Sequence, residues 1–135
     1  MTLTSYDSIF TCFLENCKIQ SKNLPTTDIG KYAMIHNACR HYSNKMEEFE
    51  LKWDDLTETL TVELDSNRLL ILAYCIKLVY LENAVTEFTD IFSVFQKELG
   101  INNYNSQVKA RQYNVLTTEH KIIELMTNMQ GFSVM

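Results

Sequence analysis

One stretch of the chain is more apolar than any other: residues 66–80 read SNRLLILAYCIKLVY. Its apolar side chains cover much of the circumference of a helix. Asp65 or Ser66 can cap the start of this helix, because a short polar side chain accepts a hydrogen bond from an unpaired N–H of the first turn. A helix that is apolar on most sides must be surrounded by other elements. We therefore predict a helical domain with residues 66–80 at its centre.

Two amphipathic helices are predicted before this stretch. Residues 5–19 repeat apolar side chains at the three-and-four spacing of a helix, with Ser5 as the N-cap. After a loop that contains the only proline, Thr26 or Thr27 can cap a second helix that runs to Met46.

A different pattern follows the second helix. Residues 49–53 alternate apolar and charged side chains, and residues 59–64 are rich in β-branched side chains. The polar residues 54–58 separate them, which is typical of a β-hairpin. An isolated hairpin is marginal in water, so its apolar face must pack on the helices or on another chain.

The remaining sequence predicts two more helices. The chain is expected to break or bend at residues 82–85, and a shorter helix follows over residues 88–99, closed by Gly100. Three asparagines within residues 102–105 indicate a turn, after which a last helix runs from about Ser106 to Met129.

Gly131 is expected to end the last helix and to leave residues 130–135 as a flexible or assembly-ordered apolar tail. A length of 135 residues is near the commonest domain size, so residues 1–135 are predicted to form a single domain. The predicted fold class is mainly α: a small bundle of four to five helices, with one short β-hairpin inserted between the second and third helices.

Charge and composition exclude several classes of function. A net charge of -5 and a pI near 5.1 give no overall basic field for binding nucleic acid broadly. No apolar run is long enough to span a membrane, and the N-terminus lacks a signal-peptide pattern, so we expect a soluble protein in the reducing cytoplasm. The three glycines are isolated, which excludes a Gly-rich nucleotide site and predicts no cofactor.

The cysteines and histidines could form a metal site or a catalytic site, an interpretation that we do not favour. Cys12, Cys17, His36, Cys39 and His41 could form a metal cluster, and Cys39 with a neighbouring histidine could form a nucleophilic pair. Neither has the spacing or the third group that such sites need, and cysteines among apolar neighbours are usually core residues. We predict core thiols, no metal site and no enzyme activity.

Eight carboxylates lie within the nineteen residues 47–65, against one base, Lys52. They could include paired catalytic acids, but a solvated hairpin edge that discourages stray strand pairing fits better, and a partner-facing acidic surface is a third interpretation. Apolar side chains near the hairpin and in the tail complete a candidate protein interface. Its residues are Phe49, Leu51, Trp53, Asp54, Asp55, Phe132 and Val134.

The order of these parts resembles the small head-tail connector (adaptor) proteins of tailed bacteriophages and prophages of Gram-positive hosts. Three segments carry the resemblance: residues 49–53, residues 62–72 entering the apolar helix, and residues 104–110 entering the last helix. The likeness extends from about Lys45 to Met129 and includes no catalytic signature.

The resemblance implies a structural virion protein, assembled in the host cytoplasm, that forms a ring of its own copies on the portal protein. Such a ring extends the DNA channel, lets DNA pass without sequence-specific binding, and provides a docking surface for the next neck or tail protein. No membrane is involved. A tail-completion or other neck protein is an alternative, and so is a small phage-encoded regulator that binds another protein.

The core-thiol interpretation has a direct test. A chelator such as EDTA should leave the melting temperature unchanged, and elemental analysis should find no stoichiometric zinc, because no metal would contribute to folding. A loss of helical circular dichroism on adding the chelator would instead revive the metal cluster.

Overall fold

The computed structural model describes residues 3–17, 27–47, 50–92 and 101–134. Its elements in chain order are α1 (Tyr6–Asn16), α2 (Asp28–Met46), β1 (Trp53–Asp54), β2 (Thr59–Leu60), α3 (Ser66–Phe92) and α4 (Ile101–Val134). The described chain is therefore mainly helical, with four helices and a two-stranded antiparallel hairpin between α2 and α3, as the sequence predicted.

The predicted helix caps are confirmed. Ser5 Oγ accepts a hydrogen bond from the Ser8 N–H at 3.1 Å, and Thr27 Oγ1 accepts one from the Gly30 N–H at 3.1 Å. Asp65 Oδ1 accepts the Arg68 N–H at 2.8 Å. Each bond pairs one of the N–H groups that a helix start leaves without an intrahelical acceptor.

Helix α3 is the centre of the domain. Its extensive contacts join it to each of the other three helices, and Ile71, Leu72 and Ile76 are fully buried. Phe13 of α1, Tyr42 of α2 and Ile122 of α4 are also fully buried and belong to the same core. The apolar circumference of residues 66–80 therefore has the role that the sequence predicted.

The break predicted at residues 82–85 is wrong, because α3 continues as one helix to Phe92. None of these four residues is glycine or proline, and residues without a special backbone preference do not end a helix by themselves. Residues 93–100, which include most of the predicted shorter helix and its stop at Gly100, lie outside the described residues.

The bounds predicted for the last helix are also wrong. Helix α4 begins at Ile101 and so includes the asparagines that were expected to form a turn. Asparagine is well tolerated near a helix start, where its side chain can pair with free N–H groups. Gly131 lies inside α4, which continues to Val134; a glycine inside a helix costs only about 1 kcal/mol, which a 34-residue helix can absorb.

The hairpin strands are shorter than predicted, because only Trp53 with Leu60 and Asp54 with Thr59 form ladder pairs. A further bond joins the Thr61 N–H to the Lys52 carbonyl at 3.1 Å. No helix in the described ranges is long and apolar enough to cross a membrane.

Continuity of α3 through residues 82–85 can be tested with proline. We expect Asn83→Pro to lower the free energy of unfolding by about 3 kcal/mol, because proline removes an intrahelical hydrogen bond and clashes with the preceding turn. Urea unfolding followed by circular dichroism would measure the change. Asn83→Ala is the matched control, since Asn83 is exposed, and it should be neutral or slightly stabilising. Equal stability of both variants would indicate a natural break in the chain at this point.

Candidate partner-binding surface at the hairpin

The N-terminal segment holds the hairpin to the helices. The Thr4 N–H donates to the Val62 carbonyl at 3.1 Å, and the Thr4 carbonyl accepts the Leu60 N–H at 2.8 Å. The Thr4 hydroxyl accepts the Leu64 N–H at 2.7 Å, in a buried position. The Tyr6 N–H donates to the Glu58 carbonyl at 2.8 Å. Residues 4–6 therefore pair with the outer side of the second strand, which the sequence analysis did not predict.

Asp55 joins the turn of the hairpin to both neighbouring helices. Its Oδ1 accepts a hydrogen bond from the Tyr6 hydroxyl at 2.5 Å and another from His36 Nε2 at 2.9 Å. Because an ionised carboxylate only accepts, His36 Nε2 carries a proton whether the ring is neutral or charged. Asp55 is thus a structural acceptor that ties the turn to α1 and α2.

These contacts change the acidity of both partners. Partial burial alone would raise the pKa of Asp55, but the hydrogen bonds from Tyr6 and His36 outweigh it and lower that pKa below the ordinary value. Burial, followed by the hydrogen bond to Asp55, raises the pKa of the Tyr6 hydroxyl well above its usual value. At neutral pH the pair is therefore a carboxylate and a neutral phenol, which is the best-matched combination for this bond.

Trp53 lies against α2. Its indole stacks on the His36 ring with centroids 4.4 Å apart and an interplanar angle of 14°. The Arg40 guanidinium carbon lies 5.4 Å from the centre of the Trp53 ring, within the range of a cation–π contact. Since His36 and Arg40 are four residues apart, they occupy one face of α2. Trp53 therefore packs on α2, one of the two possibilities given above for the apolar face of the hairpin.

A second aromatic contact strengthens the same junction. The rings of Tyr6 and Tyr32 meet edge to face, with centroids 5.6 Å apart. Burial, and then a hydrogen bond with the Glu58 side chain, raise the pKa of the Tyr32 hydroxyl. Glu58 itself has a backbone φ of 53°, in the left-handed region that a residue with a Cβ seldom adopts.

A groove of about 570 Å³ lies beside Trp53, between the end of α2 and the chain that enters the hairpin. The Ser43 hydroxyl closes this corner: it donates to the Cys39 carbonyl and accepts the Leu51 N–H, both at 2.8 Å. The groove combines a cation, two exposed carboxylates, an amide and an aromatic ring. The residues that provide these groups are Arg40, Glu47, Glu50, Asn44 and Trp53.

The structure brings four of the seven predicted interface residues together. Trp53 is half-buried and Leu51 is buried, and both line the groove; Asp54 is exposed, and Asp55 is half-buried in the network described above. Phe49 lies outside the described residues. Phe132 and Val134 belong to the end of α4, and their side chains also lie outside the described part of the chain.

Sequence reasoning missed the groups that make this surface. Tyr6, His36 and Arg40 were not among the predicted interface residues, and His36 was considered only as a metal ligand or a partner of Cys39. The four-residue spacing of Tyr32, His36 and Arg40 on α2 could have indicated one polar-aromatic face. The interpretation of the acidic residues as a solvated edge did not include the contacts of Asp55, whose partly exposed carboxylate accepts two hydrogen bonds from helices.

The cysteines are free thiols. Cys17, Cys39 and Cys75 are buried, and Cys12 is half-buried. Burial raises the pKa of Cys17 to about 11 and that of Cys39 to about 12, so both thiols stay protonated near neutral pH. Among the described residues, no three Cys, His, Asp or Glu side chains are grouped so that they could hold a metal ion.

Comparison with known sequences identifies the protein family of this chain. The family described as YomZ prophage protein matches residues 1–130. The chain belongs to this family of prophage proteins. It is 33% identical over 126 residues to the "SPbeta prophage-derived uncharacterized protein YomZ" of Bacillus subtilis (strain 168), an alignment that covers 93% of this chain and 95% of the relative. No solved structure matches it. The phage origin and the Gram-positive host expected from the sequence are thereby supported.

The Asp55 network predicts a specific dependence of stability on pH. Because its pKa is lowered in the folded state, the carboxylate stabilises the fold above the ordinary pKa of Asp, near 4, and this contribution is lost as the pH falls through the lowered value. We expect Asp55→Asn to lower the free energy of unfolding by about 1 kcal/mol at pH 7, the typical value of one hydrogen bond. The difference from the unmodified chain should shrink towards pH 2 in urea titrations. Asp54→Asn is the control, and a difference that stays constant with pH would contradict the assignment.

Proposed function

We propose that this chain is a non-enzymatic structural protein of the phage particle, located at the head-tail interface. It forms a ring that docks on the portal protein and extends the DNA channel. Membership in a prophage protein family and the resemblance of residues 49–53, 62–72 and 104–110 to connector proteins support this proposal.

The observation that carries the proposal is the rigid hairpin. Its turn is tied to α1 through Tyr6 and to α2 through His36, and both bonds end on Asp55. The turn is therefore held in one orientation before any partner binds. A turn that is already ordered loses little conformational entropy on docking, which suits a subunit that must fit between larger assemblies.

Two further surfaces fit a ring. Cyclic assembly needs two different faces on each subunit, one that meets the previous copy and one that meets the next. The groove beside Trp53 supplies one candidate, with Arg40 at one position and Glu47 and Glu50 at others. Phe132 and Val134, which the sequence analysis predicted as interface residues, are the other candidate.

The charge balance suits a channel through which DNA passes. Seventeen acidic residues against twelve basic ones leave few cations to neutralise phosphates. Since non-specific DNA affinity depends on such neutralisation, an acidic wall lets DNA slide without gripping it.

The experiment is to locate the chain in particles. A lysogen that carries the encoding prophage, with the gene tagged in place, is induced and its particles are purified on a density gradient. We expect the tagged chain to copurify with the portal protein in a constant ratio. Deletion of the gene should leave filled heads and separate tails in electron micrographs, with joining restored by a second copy of the gene.

Two outcomes would contradict the proposal. If the chain is absent from purified particles and deletion leaves particle yield unchanged, a regulator that binds another protein is the better hypothesis. If the chain is present but deletion leaves portal docking intact and alters only the tail end, a tail-completion protein is indicated.

A further inference from the structure

Leu56 is the most exposed large apolar side chain in the described part of the protein, at 97% of its full accessibility. It lies in the turn between β1 and β2, three residues after Trp53 and one residue after Asp55. The domain core gains nothing from it, because the side chain contacts almost nothing but solvent.

The backbone that carries Leu56 is nevertheless well held. The Leu56 N–H donates to Asp54 Oδ1 at 3.0 Å. The hydroxyls of Thr57 and Thr59 are hydrogen-bonded to each other at 2.8 Å. The preceding residue, Asp55, is bound to two helices. Leu56 is therefore presented on an ordered turn, and its burial by a partner would need little further ordering of the chain.

Every charged side chain in the turn around Leu56 is acidic. Residues 54–58 contain three carboxylates and no base. Asp54 and Glu58 are exposed on either side of Leu56. A partner surface that accepts the turn must offset this negative potential as well as cover an aliphatic side chain.

We propose that Leu56 is an anchor residue that inserts into an apolar pocket on a partner protein, and that lysine or arginine side chains at the rim of that pocket contact Asp54 and Glu58. The inference names the contact residue and the chemistry of the partner surface. It does not require that the partner is a portal protein, and it could hold if the location proposed above is wrong.

Photo-crosslinking tests the contact in the full chain. Benzoylphenylalanine is placed at position 56, and in separate controls at positions 14 and 116, which are apolar and exposed at 57% and 48%. The variants are expressed during prophage induction and irradiated. We expect one discrete protein adduct from position 56 only, and mass spectrometry should map it to a partner segment with apolar residues and neighbouring Lys or Arg.

Binding to the purified captured protein then measures the anchor. Leu56→Ala should weaken binding roughly thirtyfold, as expected for an anchor residue, while leaving circular dichroism and melting unchanged. The double variant Asp54→Asn with Glu58→Gln should weaken binding at low salt and flatten its salt dependence, since exposed charges act through a screened field. Leu14→Ala is the matched control and should bind normally.

Each contrary outcome would overturn the proposal. These outcomes are the absence of an adduct from position 56, equal adducts from all three positions, an adduct with a second copy of this chain or with lipid, and normal binding by the Leu56→Ala variant. The two proposals can also be separated. If purified particles lack this chain but position 56 still crosslinks to a pocket with a basic rim, the proposed location at the head-tail interface is wrong and this inference holds.

Discussion

The backbone pairing between Thr4 and the second hairpin strand is the interaction on which the rest of the surface depends. A ladder of two residue pairs is too short to persist in water. Thr4 adds three hydrogen bonds to residues 60–64, and the Tyr6 N–H adds one to Glu58. Because Tyr6 also begins α1, the same bonds fix the hairpin relative to the helices. This pairing therefore helps to position Asp55 and Trp53 against α1 and α2.

Asp55 connects three parts of the structure: the hairpin turn, α1 and α2. A single carboxylate oxygen receives one hydrogen bond from α1 and one from α2, while its own backbone belongs to the turn. Stacking of His36 on Trp53 orients the imidazole, so the donor nitrogen is directed by an aromatic contact as well as by its acceptor. Hydrogen bonds to a charged acceptor are stronger than neutral ones, and a half-buried position reduces competition from water. A small polar cluster can therefore hold a hairpin that has very little ladder of its own.

Local chemistry was predictable from the sequence, and long-range pairing was not. Ser5 was predicted as a cap, and Thr27 and Asp65 were each one of two candidates, because a cap needs only a short polar side chain beside a helical pattern. The partner of Thr4 lies almost sixty residues away and leaves no periodic signal. Among the described residues, Glu47 at the end of α2 and Glu58 in the hairpin turn have positive φ angles, and neither is a glycine, so the sequence contains no signal for these turns. The hairpin residues of the surface described here were therefore among the predicted interface residues, and the residues of α1 and α2 that contact them were not.

The acidic turn also restricts which contacts the exposed leucine can make. Leu56 is exposed in both the folded and the unfolded chain, so it costs the fold little, yet an exposed aliphatic side chain on an ordered turn favours association with any apolar surface. Two copies that met turn to turn would bring three carboxylates from each chain close together, and their repulsion opposes that pairing. The same carboxylates attract a surface with basic groups. Selectivity then comes from repelling acidic surfaces as much as from binding an apolar pocket with a basic rim. The hydrogen-bonded backbone of the turn keeps Leu56 and the carboxylates at fixed positions relative to each other.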